Sequence, residues 1–257
     1  MKLFVKSEYK TMLVLIILGG LGYVLGLPYR MELAGKTNIP ISDILLSMIL
    51  NTLIIGVIVL FGYLFGRPVI LGAPIIKAKV EGESVSERIK SILKIAPVLG
   101  ILSGIAVFVL DLLVFVPLLT GTVSTTATYP SLGSRVLAMF YGGFFEELLV
   151  RFLIMSYLVW FFWKLSRSKD PASHSWIYWL GLISAAVLFG ALHLPATIAI
   201  YGMTSLVITR ALVLNLIPGL IFGYLYWKQG IESAMVAHLT ADFTIHVVLT
   251  QIILLFL

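Results

Sequence analysis

Seven long apolar runs constrain this chain more than anything else in it. They lie at about residues 12–28, 42–66, 95–120, 136–163, 176–199, 205–228 and 231–257. A run of ~20 apolar residues is long enough to cross ~30 Å of hydrocarbon as a helix. Membrane barrel strands would show segments of ~10 alternating residues instead, and no such pattern occurs here. Only 12% of the residues are charged, against about a quarter in soluble domains, and the mean hydropathy is +1.07. The expected fold is an all-α polytopic transmembrane bundle of 7–8 helices, the eighth arising if the last run breaks near residue 244. The whole chain, 1–257, reads as one membrane domain.

The net charge of +6 does not point to nucleic acid, because the basic residues sit in short loops beside apolar runs, where they set orientation. The N-terminus carries Lys2, Lys6 and Lys10. The 67–94 loop carries Arg67, Lys77, Lys79, Arg88, Lys90 and Lys94, and the 164–175 loop carries Lys164, Arg167 and Lys169. The Thr-rich 121–135 loop has only Arg135. This alternation predicts a cytoplasmic N-terminus. A cleaved signal peptide competes for the first run, but no small-x-small cleavage site follows and six more runs do. The chain has no cysteine, which excludes disulfides and Cys-based nucleophiles or zinc sites.

Within the 67–94 loop, Ser84-x-x-Glu87 reads as a capping box opening a helix. Val85, Ile89, Ile92 and Leu93 fall on one face of it, so an interfacial helix on the cytoplasmic surface is expected. The same residues also suit the leading end of the third crossing. Gly22/Gly26, Gly100/Gly104 and Gly219/Gly223 are GxxxG pairs that let helices approach closely.

Asp111, Glu146, Glu147, Arg151, His193, Arg210, His238, Asp242 and His246 all fall inside apolar runs. A charge at mid-membrane costs about 2.5–3.5 kcal/mol on insertion scales, so such groups face the bundle interior and find partners. Glu147 and Arg151 are spaced i,i+4 and can pair. Glu146 lies about 100° around a regular helix from Glu147 and can point elsewhere, which suits a carboxylate for general acid/base work. His238 and Asp242 are also i,i+4, and His246 continues their row. Carboxylates and imidazoles brought together suggest either a metal site or a water-activating group with an oxyanion partner. Asp111 and Arg210 read as structural ion partners, Asp111 pairing with Arg151 or Arg210. His174 lies in a polar loop and reads as solvated.

Three motifs stand in order on the fourth, fifth and seventh runs: Glu146-Glu147-x-x-x-Arg151, Phe189-x-x-x-His193 and His238-x-x-x-Asp242. Over residues 136–245 the chain resembles the CPBP family, which unites CAAX proteases of the Ras-converting-enzyme type with bacteriocin-processing and immunity proteins. It departs from that pattern at Val150-Arg151-Phe152, where many prokaryotic members have Phe-Arg-Gly, and at Asp242, where several have Asn. An ionised Asp cannot donate the oxyanion hydrogen bond an Asn can.

The resemblance implies an intramembrane endopeptidase. Glu146 and His193 would hold and activate a water, His238 and Asp242 would stabilise the oxyanion, and Glu147 and Arg151 would brace the site, with His246 a further candidate. It leaves a metal open: Zn²⁺ held by Glu146, His193 and His238 would keep a position for water, whereas a metal-free route needs only general-base catalysis. The expected partners are membrane lipid and a membrane-bound or lipidated peptide substrate such as a prenylated tail. The expected location is the plasma membrane of a prokaryote. The competing functions are a non-catalytic immunity or scaffolding protein of the same fold and a proton-coupled transporter. His193 lies some 17 residues into its run and His238 about 7 into its own, an offset of ~15 Å in depth. Assembly therefore requires run 176–199 to start outside the bilayer or run 231–257 to be re-entrant.

Overall fold

The computed structural model describes residues 4–36, 40–119 and 129–255. Lys2 and most of the Thr-rich stretch before residue 129 lie outside them. Among the described residues, seven helices are long and apolar enough to cross a membrane. They are α1 Lys6–Leu33, α2 Ile41–Val69, α3 Ser86–Leu119, α4 Leu132–Ser166, α5 Ser175–Tyr201, α6 Ser205–Gln229 and α7 Ile231–Leu254. No strand occurs among the described residues. The chain is an integral membrane protein with a polytopic helical fold.

The last run does not break near residue 244 to make an eighth crossing, nor is it re-entrant. It stays helical from Ile231 to Leu254, widening into a π-helical turn over Phe243–Leu249. The amphipathic stretch after Ser84 is not a separate interfacial helix. It runs into the third crossing as one helix of 34 residues, about 50 Å long and so well beyond what the hydrocarbon needs. Val85 holds the N-cap position without a side-chain bond, so the capping box at Ser84 does not form. The separate short helix of this connection is Pro74–Val80. It is fixed by Glu232, whose Oε1 accepts the N–H groups of Ile75 and Ile76 at 2.9 and 2.8 Å.

Helix packing follows the small residues. α1 and α2 both lie against α4, α6 lies along α5, and α7 lies along α3. Each GxxxG pair sits at one of these contacts. Gly22 and Gly26 face Phe140, Phe144 and Tyr141 of α4. Gly100 and Gly104 face Ala237, Thr240, Ala241 and Thr244 of α7, and Gly219 and Gly223 face Ala186 and Leu182 of α5. Lipid is as apolar as leucine, so close backbone approach rather than hydrophobic burial drives these contacts. Large apolar side chains accordingly remain exposed on the outer surface, Ile49 and Leu53 of α2 by 60% and 64%. The interior is centred on Leu148, Phe152 and Met155 of α4 with Phe222 and Tyr226 of α6.

Gly62 of α2 is pressed against Phe152, where an added Cβ would lie 2.7 Å from the Phe152 carbonyl oxygen. Gly62→Val is therefore expected to destabilise the α2–α4 contact by about 1–3 kcal/mol, the usual cost of overpacking. Thermal unfolding in a mild detergent measures it, and an unchanged midpoint would contradict this packing.

Candidate active site

α4 changes its winding where it meets the polar residues. It is π-helical over Tyr141–Glu146 and again over Leu148–Met155. π turns widen a helix locally and are frequent at functional sites. Regular α geometry would send Glu146 and Glu147 in different directions, but here both carboxylates reach one imidazole. His238 Nδ1 lies 2.7 Å from Glu147 Oε1. On the other side of the ring, Nε2 lies 3.9 Å from Glu146 Oε2 and 3.6 Å from Asp242 Oδ1. Those two separations exceed direct hydrogen-bond distance and are of the size that a shared water bridges.

Two glycines make this approach geometrically feasible. A Cβ on Gly142 would overlap the Asp242 carboxylate and lie 2.8 Å from His238 Nε2, and one on Gly143 would overlap Leu239. Gly142 and Gly143 stand just ahead of the glutamates, separated from them by Phe144 and Phe145, so a pair of glycines close before a pair of acids is a legible signal for the α4–α7 contact.

Glu147 is fully buried and Arg151 1% exposed, and Arg151 Nη1 is 2.9 Å from Glu147 Oε1. This is the i,i+4 pair expected from spacing. The guanidinium also lies over the rings of Phe189, at 4.5 Å, and Phe222, at 5.4 Å, which places a cation against two aromatic faces. His238 stacks on Phe222 at 4.8 Å. Glu147 thus orients His238 as well as neutralising Arg151, a double duty that spacing alone does not reveal.

His193 sits where α5 changes direction, two residues before Pro195. Its Nδ1 is 2.8 Å from the carbonyl oxygen of Phe189. A carbonyl only accepts, so Nδ1 carries the proton and Nε2 is the acceptor of the neutral ring. Among the described residues His193 makes no ion pair with a carboxylate. The Phe189 ring joins it to the rest, edge-on to His193 at 4.7 Å and to His238 at 6.0 Å. Both imidazoles line the wall of one cavity.

That cavity has a volume of about 420 Å³. Glu146, His193, His238, Asp242 and His246 all line it, while Glu147 and Arg151 lie behind its wall. His246 packs edge-on against Tyr29 of α1, with ring centroids 5.9 Å apart. Asp111 pairs with Arg210 rather than Arg151: Nε and Nη2 of Arg210 donate to its two oxygens at 2.7 and 2.6 Å. That pair ties α3 to α6 on the cavity wall. Some polar lining residues are not marked by the sequence as site residues. Tyr29, Arg30, Tyr141 and Asn215 are among them, and nothing in their local spacing marks them.

The zinc ligand set of Glu146, His193 and His238 is not assembled. Among the described residues no three His, Asp or Glu side chains form a group able to hold a metal ion. Nδ1 of His193 is bound to the Phe189 carbonyl and Nδ1 of His238 to Glu147, which leaves Nε2 as the free nitrogen of each ring.

With this geometry in view, comparison with known proteins gives a class, a family of membrane-embedded peptidases. The matching family model is that of type II CAAX prenyl endopeptidases, Rce1-like, and it covers residues 127–244. That stretch is similar to the Rce1-like domains of the CAAX protease family, and it contains all three motifs. No curated protein and no solved structure matches the chain.

Removing one partner of a buried ion pair leaves the other uncompensated and costs roughly 3–5 kcal/mol. Arg151→Leu, which strips Glu147 of its cation, is expected to lower stability by about that amount, measurable as loss of folded protein on heating in detergent. A variant as stable as the parent would show the pair to be dispensable.

Proposed function

We propose that the chain is an intramembrane endopeptidase that hydrolyses a peptide bond of a membrane-associated, prenylated-tail type of substrate. The observation that carries this reading is one imidazole held from behind and open in front. His238 is fixed through Nδ1 by buried Glu147, and its Nε2 faces Glu146 and Asp242 across a cavity within the bundle.

In this reading a water sits between Glu146 and His238. Glu146 accepts its proton as the oxygen adds to the substrate carbonyl, and later delivers that proton to the departing amine. His238, protonated at Nε2, donates a hydrogen bond to the oxyanion, with Glu147 countering the charge from behind. In a cavity with little water such an interaction is strong. His193 offers Nε2 as a further acceptor for the water from another part of the wall. Asp242 flanks His238 as a carboxylate and supplies no donor of its own when ionised. Glu147 and Arg151 act by positioning, because they do not line the cavity. The N-terminus is taken as cytoplasmic on the distribution of loop charges.

The direct test is cleavage of a farnesylated peptide by the purified, reconstituted chain. Glu146→Ala and His238→Ala are each expected to lower turnover by about 10²–10⁴-fold, the range for a lost general acid or base, and Glu146→Ala does so without loss of folded protein. Full activity in Glu146→Ala would overturn the glutamate route. An unchanged cellular phenotype in that variant would favour the scaffolding alternative.

The metal-free route also makes a separate prediction. Exhaustive chelation and dialysis leave the cleavage rate unchanged. A rate lost on chelation and restored by Zn²⁺ would sink that mechanism while leaving the peptidase assignment standing.

A further inference from the structure

A second, larger cavity of about 620 Å³ lies away from the first, and the two share no lining residue. It is built from helix ends. Glu8 comes from the start of α1, Tyr63 and Arg67 from the end of α2, Arg88 and Ile92 from the start of α3, and Tyr226 to Gln229 from the end of α6. Helix ends that gather on one side of a membrane bundle lie at the headgroup level.

The walls are formed rather than flat. Leu71, Ala73, Ile92 and Tyr226 are all buried. The floor segment is pinned in place: Ile231 N–H donates to the Gly72 carbonyl at 3.0 Å, and Arg88 Nη1 donates to the Pro74 carbonyl at 3.1 Å. Gly230, at φ +95°, closes against Pro74, in a backbone conformation that favours glycine.

The charge around this cavity is one-sided. Arg67, Lys77, Arg88 and Lys228 line it, and Glu8 is the one acid among its lining residues. The Glu8 carboxylate is already engaged, accepting from Val5 N–H at 2.8 Å and from Arg67 at 3.4 Å. Among the described residues Lys77 and Lys228 have no carboxylate partner. The ammonium of Lys228 lies 3.5 Å from the centroid of the Trp227 ring. An aromatic beside a basic rim is the arrangement that interfacial anchors adopt.

We propose that this cavity binds the phosphate headgroup of an anionic membrane lipid. Its volume is in the range of about 300–1,000 Å³ that accommodates an organic ligand, far more than a phosphate ion occupies. Basic pockets between transmembrane helices recognise such headgroups by charge. The apolar and aromatic wall of Leu71, Ile92 and Trp227 offers a surface to the glycerol and upper acyl segments. The site does not depend on the peptidase reading.

Native mass spectrometry of the full chain in detergent, titrated with phosphatidylglycerol or phosphatidylcholine, tests this. Two paired variants carry equal loss of charge: Lys77→Gln/Lys228→Gln at the cavity, and Lys164→Gln/Lys169→Gln on the α4–α5 connection. Both lysines at the cavity are exposed, so folding is expected to survive. The parent and the connection variant should prefer phosphatidylglycerol, and the cavity variant should bind it about thirtyfold more weakly, since each of its two lost cations contributes ~1 kcal/mol near an anionic headgroup. Equal weakening by both pairs would reduce the effect to general surface charge and overturn the proposal. So would displacement of bound lipid by millimolar inorganic phosphate, which would make this a soluble-anion site.

Discussion

Three ionisable groups buried inside a lipid-embedded bundle, Glu147, Arg151 and His238, set the terms for the rest of the structure. None can be left alone there, because an unpaired charge in a low-dielectric interior costs several kcal/mol. One carboxylate oxygen serves both other groups, with Arg151 at 2.9 Å and His238 at 2.7 Å. That shared oxygen joins α4 to α7. The guanidinium then rests on Phe189 and Phe222, which brings in α5 and α6. Four helices are thus organised around one compensated cluster.

The reactive side of the site follows from how that cluster is covered. Glu147 and Arg151 are sealed behind the wall, so the face of His238 that remains is Nε2, looking at Glu146 and Asp242. α7 can stand this close to α4 because Gly142 and Gly143 carry no side chain where it passes. The π-helical turns of α4 allow adjacent glutamates to approach one ring from both sides. A rigid support and an open, carboxylate-rich face are what hydrolysis of a peptide bond asks of a site shielded from bulk water.

The two cavities divide the bundle by chemistry. One is lined by acids and imidazoles between the helices. The other is lined by cations where helices end, and its floor is held by Glu232 and Gly72. Basic residues of the connection before α3, which the sequence offers as orienting charges, also line this basic cavity.

Much of this was legible from the residues in order. The seven crossings follow from run length, because backbone groups in lipid are satisfied only within a helix. Pairing of Glu147 with Arg151 follows from i,i+4 spacing, and the family resemblance from three motifs in sequence. Local rules misled at Ser84, where an amphipathic stretch reads equally as a surface helix and as an overlong crossing; continuity with α3 decided it. They also misled at the glutamates, because α-helical periodicity sends Glu146 away from Glu147, and only the π turns bring both to His238. That no three His, Asp or Glu side chains among the described residues form a metal-holding group could not be read from spacing within any one helix. The sequence by itself determined which groups must be buried and paired, since that depends on the cost of charge in lipid. The tertiary structure alone decided which partner each group has, since that depends on distances between helices that small residues, π turns and aromatic rings set together.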